Sequence, residues 1–197
     1  MPQVEIRGNA DLRKALRQFA PDLEKQLKNE LRTALKPVVA KAKGFVPSES
    51  PMSGWKARSF SEGRFPTFNY STITRGIVLK TTVSKRDKNG FRSMARIVNS
   101  SVAGAIYEVA RAPQPWVGPK AAGTAKNVSR SVNPGAGQQF VDNLGIAITS
   151  KKGTGRFIYR AWAQNQGVAN GAANKAIDKA TREFYLRSHK QSFSKVA

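Results

Sequence analysis

The sequence predicts an α+β fold in which a long N-terminal amphipathic helix and a C-terminal alanine-rich helix pack on a small antiparallel sheet, with long extended loops. Three observations support this fold class: an apolar stripe at helical spacing near the N-terminus, an alternating run followed by an Asn-Gly turn, and a second helical stripe near the C-terminus. The length of 197 residues suits a single domain (1–197), and no internal repeat or second hydrophobic core is visible.

The N-terminal region predicts a strand and two helices. Val4 and Ile6 alternate with polar residues, which is typical of a short strand. An apolar stripe spaced by threes and fours follows: Leu12, Leu16, Phe19, Leu23, Leu27, Leu31, Leu35 and Val38 or Val39. Pro21 lies inside the stripe and opens an acidic first turn, so we expect a short helix near 10–19 and a main helix near 21–43.

The middle of the chain predicts a hairpin. Apolar and polar residues alternate over 77–83, as in a strand with one buried face, and Asn89-Gly90 favours a tight turn before a return strand over 94–98. The tip carries Lys85, Arg86 and Lys88, which we interpret either as a solvated turn or as contacts to DNA phosphates or an acidic partner. A second basic group, Lys151, Lys152 and Arg156, surrounds a Gly-Thr-Gly segment and is a further candidate for phosphate contact.

Two segments predict extended loops or arms. Residues 47–76 are rich in Pro, Ser and Gly yet carry aromatic side chains, and residues 111–139 contain four prolines and no acidic residue. Aromatic residues between cations can stack on bases, but they more often pin a loop to its own domain or to a neighbour. We therefore single out five aromatic residues as candidates for a subunit interface: Trp55, Phe65, Phe68, Tyr107 and Trp116.

The C-terminal region predicts one helix and a tail. Residues 156–162 lead into a helix whose apolar stripe comprises Val168, Ala172, Ala173, Ala176, Ile177, Ala180 and Phe184. Small alanine side chains allow close approach of another helix or of the sheet. Residues 186–197 are polar and basic, and we expect them to form a frayed tail.

The charge balance points to an anionic partner. With 34 Lys and Arg against 12 Asp and Glu, the net charge is +22, which attracts nucleic acid, anionic membrane surfaces or acidic protein faces. The chain has no cysteine, which excludes disulfides and thiolate metal sites and suits a reducing compartment. We find no stretch apolar enough to span a bilayer and expect no secretory signal.

The inventory of reactive residues argues against an enzyme. His189, the one histidine, lies in the predicted tail, and the carboxylates form no Asp-x-Asp or Glu-x-x-Glu cluster. The glycine-rich pieces at 135–137 and 153–155 lack the Gly-Lys-Ser/Thr ending of a phosphate-binding P-loop. We expect no catalytic residues, no metal site and no cofactor.

Several segments together resemble a known family. They are a short strand, a basic amphipathic helix ending in Lys-Pro-Val-Val-Ala-Lys-Ala-Lys (36–43), Ser53-Gly54-Trp55, a hairpin, Ala-Gly-Ala-Ile-Tyr-Glu (103–108), Gly-Arg-Phe-Ile-Tyr-Arg-Ala-Trp (155–162) and an alanine-rich helix. This arrangement is similar to that of the neck, or tail-completion, proteins of long-tailed bacteriophages (siphophages). The resemblance covers most of residues 4–185, and its motifs are packing and turn residues.

The resemblance implies a non-enzymatic head–tail connector of the virion. Such a protein forms a ring of six or twelve copies at the head–tail junction, between the head-closure (stopper) protein and the tail terminator protein, near the portal or adaptor, with genomic DNA in the channel. It would occupy the host cytoplasm during assembly and would not contact membrane. The segment 111–139 is longer than the family resemblance implies, so we interpret it as an arm that clasps a neighbouring ring.

Two alternatives remain open on the sequence. A basic nucleic-acid-binding module would bind DNA or RNA with steep salt dependence. A minor capsid or tail protein would differ from a connector mainly in its copy number.

Overall fold

The α+β fold class is confirmed. A computed structural model describes residues 3–8, 10–56, 66–85, 92–121, 128–150 and 153–193. The elements in chain order are β1 (Gln3–Gly8), α1 (Ala10–Phe19), α2 (Pro21–Gly44), α3 (Tyr70–Gly76), β2 (Ile77–Lys80), β3 (Arg92–Asn99), α4 (Val102–Val109), α5 (Ala136–Asn143), β4 (Ile148–Ser150), β5 (Gly153–Gly155) and α6 (Ile158–Phe193). The long N-terminal and C-terminal helices pack together with two small antiparallel sheets.

The larger sheet contains the predicted hairpin. Its strand order is β1-β3-β2, so the return strand β3 lies in the centre, and both neighbours run antiparallel to it. In β2, Ile77 pairs with Asn99 and Lys80 pairs with Arg96. The strand ends at Lys80, three residues earlier than expected. The turn at 86–91 lies outside the described residues.

The N-terminal helices follow the predicted apolar stripe. A break at Ala20 separates α1 from α2, and Pro21 occupies the first turn of α2, where its missing N–H costs no hydrogen bond. The stripe residues Leu16, Leu23, Leu27, Leu31, Leu35 and Val38 are buried. Leu12 and Val39 are half-buried. Phe19 is 67 % exposed, because it lies at the last position of α1, where the chain turns toward α2.

Helix α6 runs antiparallel to α2 along its length. Arg187 pairs with Asp22 at 2.6 Å, and Lys179 pairs with Glu30 at 3.0 Å, so the C-terminal part of α6 lies beside the start of α2. Besides Ile158 and Trp162 in its first turns, the buried face of α6 consists of alanines: Ala161, Ala169, Ala173, Ala176 and Ala180.

Two expectations about the C-terminal helix are wrong. Val168 is 81 % exposed, because Ala169 takes the inward position of that turn. The helix also continues to Phe193, over most of the segment expected to fray. Residues 194–197 lie outside the described part of the chain.

The segments expected as loops contain short helices. In 47–76, α3 occupies Tyr70–Gly76, capped by the Asn69 side chain, and a single 3-10 turn occupies Ser53–Lys56. Helix α4 follows the sheet and is capped by Ser101. Helix α5 includes the last residues of the segment 111–139. Residues 57–65 are not described.

Candidate functional site

The segment between α4 and α5 is largely exposed. We call residues 111–135 the arm; its described parts are 111–121 and 128–135. Its two limbs are linked by backbone hydrogen bonds, from Val117 N–H to Ser129 O at 2.9 Å and from Ser129 N–H to Pro115 O at 2.7 Å. These bonds give the arm a defined local structure outside the sheets.

The arm carries exposed apolar side chains. Trp116 is 47 % exposed although its indole N–H donates to Ser131 O at 3.0 Å, and Val132 is 85 % exposed. Gly118 has a φ of +83° and packs under the Trp116 ring, in a conformation that favours glycine. Because the indole is oriented by its neighbours but only half covered, Trp116 presents an ordered aromatic surface.

The base of the arm is held by Arg156, which lies just before α6. Its guanidinium donates to Tyr107 O and Ala110 O, both at 2.8 Å, and to Gly145 O at 2.9 Å. Ala110 precedes the arm and Gly145 follows α5. One buried side chain therefore binds both ends of the segment that includes the arm and α5.

Glu108 makes the complementary contact. This residue of α4 is fully buried, and its carboxylate accepts hydrogen bonds from the backbone N–H groups of Arg156, Phe157 and Tyr159 at 2.6–2.9 Å. Those groups lie at the start of α6, where N–H groups have no partner within the helix. Glu108 thus caps α6, while Arg156 binds carbonyls at the end of α4.

Burial perturbs the titration of this cluster. Loss of solvent raises the pKa of Glu108 above its ordinary value, although the backbone N–H donors act in the opposite direction. Loss of solvent lowers the pKa of Arg156, opposed by the nearby Tyr107 and Glu108. Burial also raises the pKa of Tyr107. All three shifts originate in a buried structural cluster.

A row of aromatic rings connects this cluster to the loop before α3. The ring centroids of Trp55 and Phe68 lie 5.3 Å apart, those of Trp55 and Phe140 5.0 Å, and Tyr107 stacks on Phe157 at 6.1 Å. The Trp55 indole N–H donates to Pro66 O at 2.8 Å. The row therefore fixes the loop and α5 onto α4 and the start of α6.

The five aromatic interface candidates differ in their exposure. Trp55 and Phe68 are 0 % and 4 % exposed and belong to the core of their own chain, and Tyr107 is also buried. Their assignment to a subunit interface is corrected: they pin the loop, the alternative weighed for such aromatics. Trp116 is exposed, and Phe65 lies outside the described residues.

The candidates for phosphate contact also differ in their exposure. Arg156 is 5 % exposed and its guanidinium is engaged by three carbonyls, so its assignment to phosphate contact is corrected. The Gly-Thr-Gly segment forms β5, and a Cβ on Gly155 would overlap the Glu108 carboxylate. A glycine is needed there for close packing. Lys85 is exposed. The other four candidates, Arg86, Lys88, Lys151 and Lys152, lie outside the described residues.

A second buried ionic cluster, which the sequence did not predict, joins α1 to α2. Arg13 of α1 is 2 % exposed and pairs with Glu24 of α2 at 2.7 Å, while it also donates to Thr81 O at 2.8 Å. Glu24 also pairs with Lys28, one turn further along α2, at 2.8 Å. Arg13 itself is one of many basic residues, and no local pattern marks it as buried.

Within the described ranges, no group of three or more His, Asp or Glu side chains is placed to hold a metal ion. No described helix is both long and apolar enough to cross a membrane. No protein-family model, curated protein or solved structure matches the chain.

Proposed function

We propose that the protein is a non-enzymatic structural component of the phage neck, which forms a ring at the head–tail junction and joins the tail to the DNA-filled head. The observation that carries the proposal is the arm with its exposed Trp116, held at its base by Arg156. An ordered and half-exposed tryptophan is typical of the anchor residues of protein interfaces. The family resemblance supplies the identity of the assembly.

The proposed partners follow from the same resemblance. Further copies of the chain close a ring of six or twelve, and the arm contacts the neighbouring head-closure or tail terminator ring. A ring requires that one surface of each copy fits a different surface of the next. The arm carries Arg111, Lys120 and Arg130, all exposed, so its complementary surface on a partner is acidic.

The first experiment measures the copy number of the protein relative to portal in purified particles by quantitative mass spectrometry. We expect half the portal number or an equal number. Hundreds of copies would indicate a capsid or tail-tube protein. Complete absence from particles would overturn the proposal and favour a nucleic-acid-binding module.

The role of the arm is tested by Trp116→Ala in an assembling phage, with Val168→Ala as the matched control. Both residues are exposed and apolar, but Val168 belongs to α6 and not to the arm. We expect Trp116→Ala to leave filled heads and tails unjoined in electron micrographs, and Val168→Ala to yield normal particles. Equal yields of joined particles from both variants would exclude Trp116 as an anchor.

A further inference from the structure

One surface of α2 carries a line of cations that take part in none of the ion pairs described above. Lys25, Arg32, Lys36 and Lys43 follow one another at intervals of seven, four and seven residues. At 3.6 residues per turn, they lie within about 40° of arc and extend over about 27 Å of the helix. We call these four residues the cationic face of α2.

The cationic face is free to bind an external anion. Lys25, Arg32 and Lys36 are exposed and Lys43 is half-buried, and none of the four has an ion pair with another described residue. Unpaired cations that lie close together repel one another, which an anionic ligand would relieve.

The carboxylates of α2 are directed elsewhere. Asp22 pairs with Arg187, Glu30 pairs with Lys179, and Glu24 is buried against Arg13. Helix α2 thus segregates its charges, with each of its acids bound to a cation and four of its cations left on one side. Such segregation differs from the interspersed charges of an ordinary solvated helix.

A groove lies beside the middle of the face. Its volume is about 300 Å³, and its lining comprises Arg32, Thr33 and Lys36, with the aliphatic Val39 and Leu79. Two cations beside aliphatic side chains suit a phosphate linked to a sugar, since the guanidinium and ammonium can bind the phosphate oxygens. The Thr33 hydroxyl already donates to Asn29 O at 3.1 Å. Among the described residues, no aromatic side chain lines the groove, so those residues offer no ring on which a base could stack.

We propose that the cationic face of α2, with the groove at Arg32 and Lys36, binds the phosphate backbone of nucleic acid without reading its bases. A line of single charges about 27 Å long complements a polymer that carries one charge per ~3.4 Å of each strand. This surface differs from the basic turns that the sequence suggested. The proposal does not depend on ring formation or on the function proposed above.

The test compares two double variants that remove the same charge. Arg32→Gln with Lys36→Gln changes the cationic face, while Arg182→Gln with Lys175→Gln changes exposed cations on the outer side of α6, opposite its buried alanines. Binding of a fluorescein-labelled 20-base-pair duplex is followed by anisotropy between 50 and 200 mM salt (roughly the range over which phosphate contacts weaken). Circular dichroism checks that both variants are folded.

We expect the α2 variant to bind the duplex about tenfold more weakly at the lowest salt. The slope of log affinity against log salt concentration should decrease in magnitude by about 2, because each lost phosphate contact removes about 0.9. The α6 variant should change affinity less than about twofold. Duplexes of different sequence should bind equally. Equal weakening by both variants would show diffuse attraction by the net charge and overturn the proposal.

A second ligand separates nucleic acid from acidic protein. A poly-glutamate 20-mer is titrated under the same conditions as the duplex. We expect weaker binding that responds little to the α2 substitutions. Binding as tight as that of the duplex, with the same dependence on Arg32 and Lys36, would assign the face to an acidic polypeptide and overturn the proposal.

Discussion

Glu108 of α4 caps the start of α6, and Arg156, just before α6, caps the end of α4. The Glu108 carboxylate, at the end of α4, binds the backbone N–H of Arg156 at 2.9 Å and two further N–H groups at the start of α6, while the Arg156 guanidinium binds Tyr107 O at the end of α4. Each side chain satisfies backbone groups of the helix that the other belongs to or precedes. The charges match the helix dipoles, because a carboxylate is stabilised at an N-terminus and a cation at a C-terminus.

Replacement of the Glu108 carboxylate by an amide should destabilise the fold, because the backbone N–H groups at the start of α6 lose hydrogen-bond acceptors. In Glu108→Gln, an amide group replaces one oxygen, so donors at the start of α6 lose acceptors in a buried site. We expect a loss of about 2 kcal/mol in the free energy of unfolding at pH 7. Urea denaturation measures it. Asp178→Asn, at an exposed position of α6, is the control and should change stability by less than about 0.5 kcal/mol.

Substitution of two glycines by alanine should change the stability of the protein in opposite directions. A Cβ on Gly155 would overlap the Glu108 carboxylate, so Gly155→Ala should destabilise the protein by about 2 kcal/mol, as other substitutions that overpack a core do. Gly171 lies within α6 with nothing within 4 Å of an added Cβ, so Gly171→Ala should stabilise by about 0.5–1 kcal/mol. Thermal and urea midpoints of both variants test this. A stabilising Gly155→Ala would contradict the close contact.

Glu24 should make the free energy of unfolding depend on pH in the acidic range. Burial acts to raise the pKa of Glu24, but hydrogen bonds from Lys28 and Arg13 outweigh it and lower the pKa below the ordinary value of 4.5. Near this pKa, the folded state therefore binds fewer protons than the unfolded state. The stability that the Glu24 carboxylate contributes is present above pH 4.5 and is lost as the pH falls through the pKa of the folded state.

The corresponding measurement compares the wild type with Glu24→Gln by urea denaturation from pH 3 to 7 (about the range in which carboxyls titrate). At pH 7, we expect the variant to be less stable by about 3 kcal/mol, since Arg13 is left buried without its carboxylate. The difference should shrink in acid. Glu49→Gln, which removes an exposed pair with Lys56, should cost less than about 1 kcal/mol at any pH. A pH-independent difference for Glu24→Gln would contradict the ion-pair account.

The alanine face of α6 should not tolerate larger side chains. Ala173 is fully buried where α6 packs on α2, so Ala173→Leu should overpack this interface and cost about 1–3 kcal/mol. Ala40→Leu, at an exposed position of α2, makes the same chemical change in solvent and should stay within about 0.5 kcal/mol. Equal effects in urea denaturation would indicate that the loss comes from helix propensity alone.

Sequence reasoning predicted those parts of the fold that depend on local pattern. The stripe from Leu12 to Val38 predicted both N-terminal helices and the break before Pro21. The alternation over 77–83 with the Asn-Gly turn signal predicted the antiparallel pairing of β2 with β3. Local pattern has no information on which faces meet, so Val168 was expected to be buried and is exposed.

The structural cluster at the base of the arm could not be predicted in the same way. Glu108 and Arg156 are 48 residues apart in sequence, and nothing near Arg156 distinguishes a buried guanidinium from a basic patch in a glycine-rich turn. One signal was available. Glu108 is the single acid in an otherwise apolar segment, and a lone carboxylate there requires a specific partner.

The attachment of both ends of the arm to one guanidinium has an evolutionary consequence. Because Ala110 O and Gly145 O bind the same Arg156 side chain, the entry and exit of this excursion lie side by side, whatever its length. Doubling such a loop costs only about 0.6 kcal/mol in closure entropy. The arm can therefore lengthen or shorten while α5, the other helices and the sheets keep their packing.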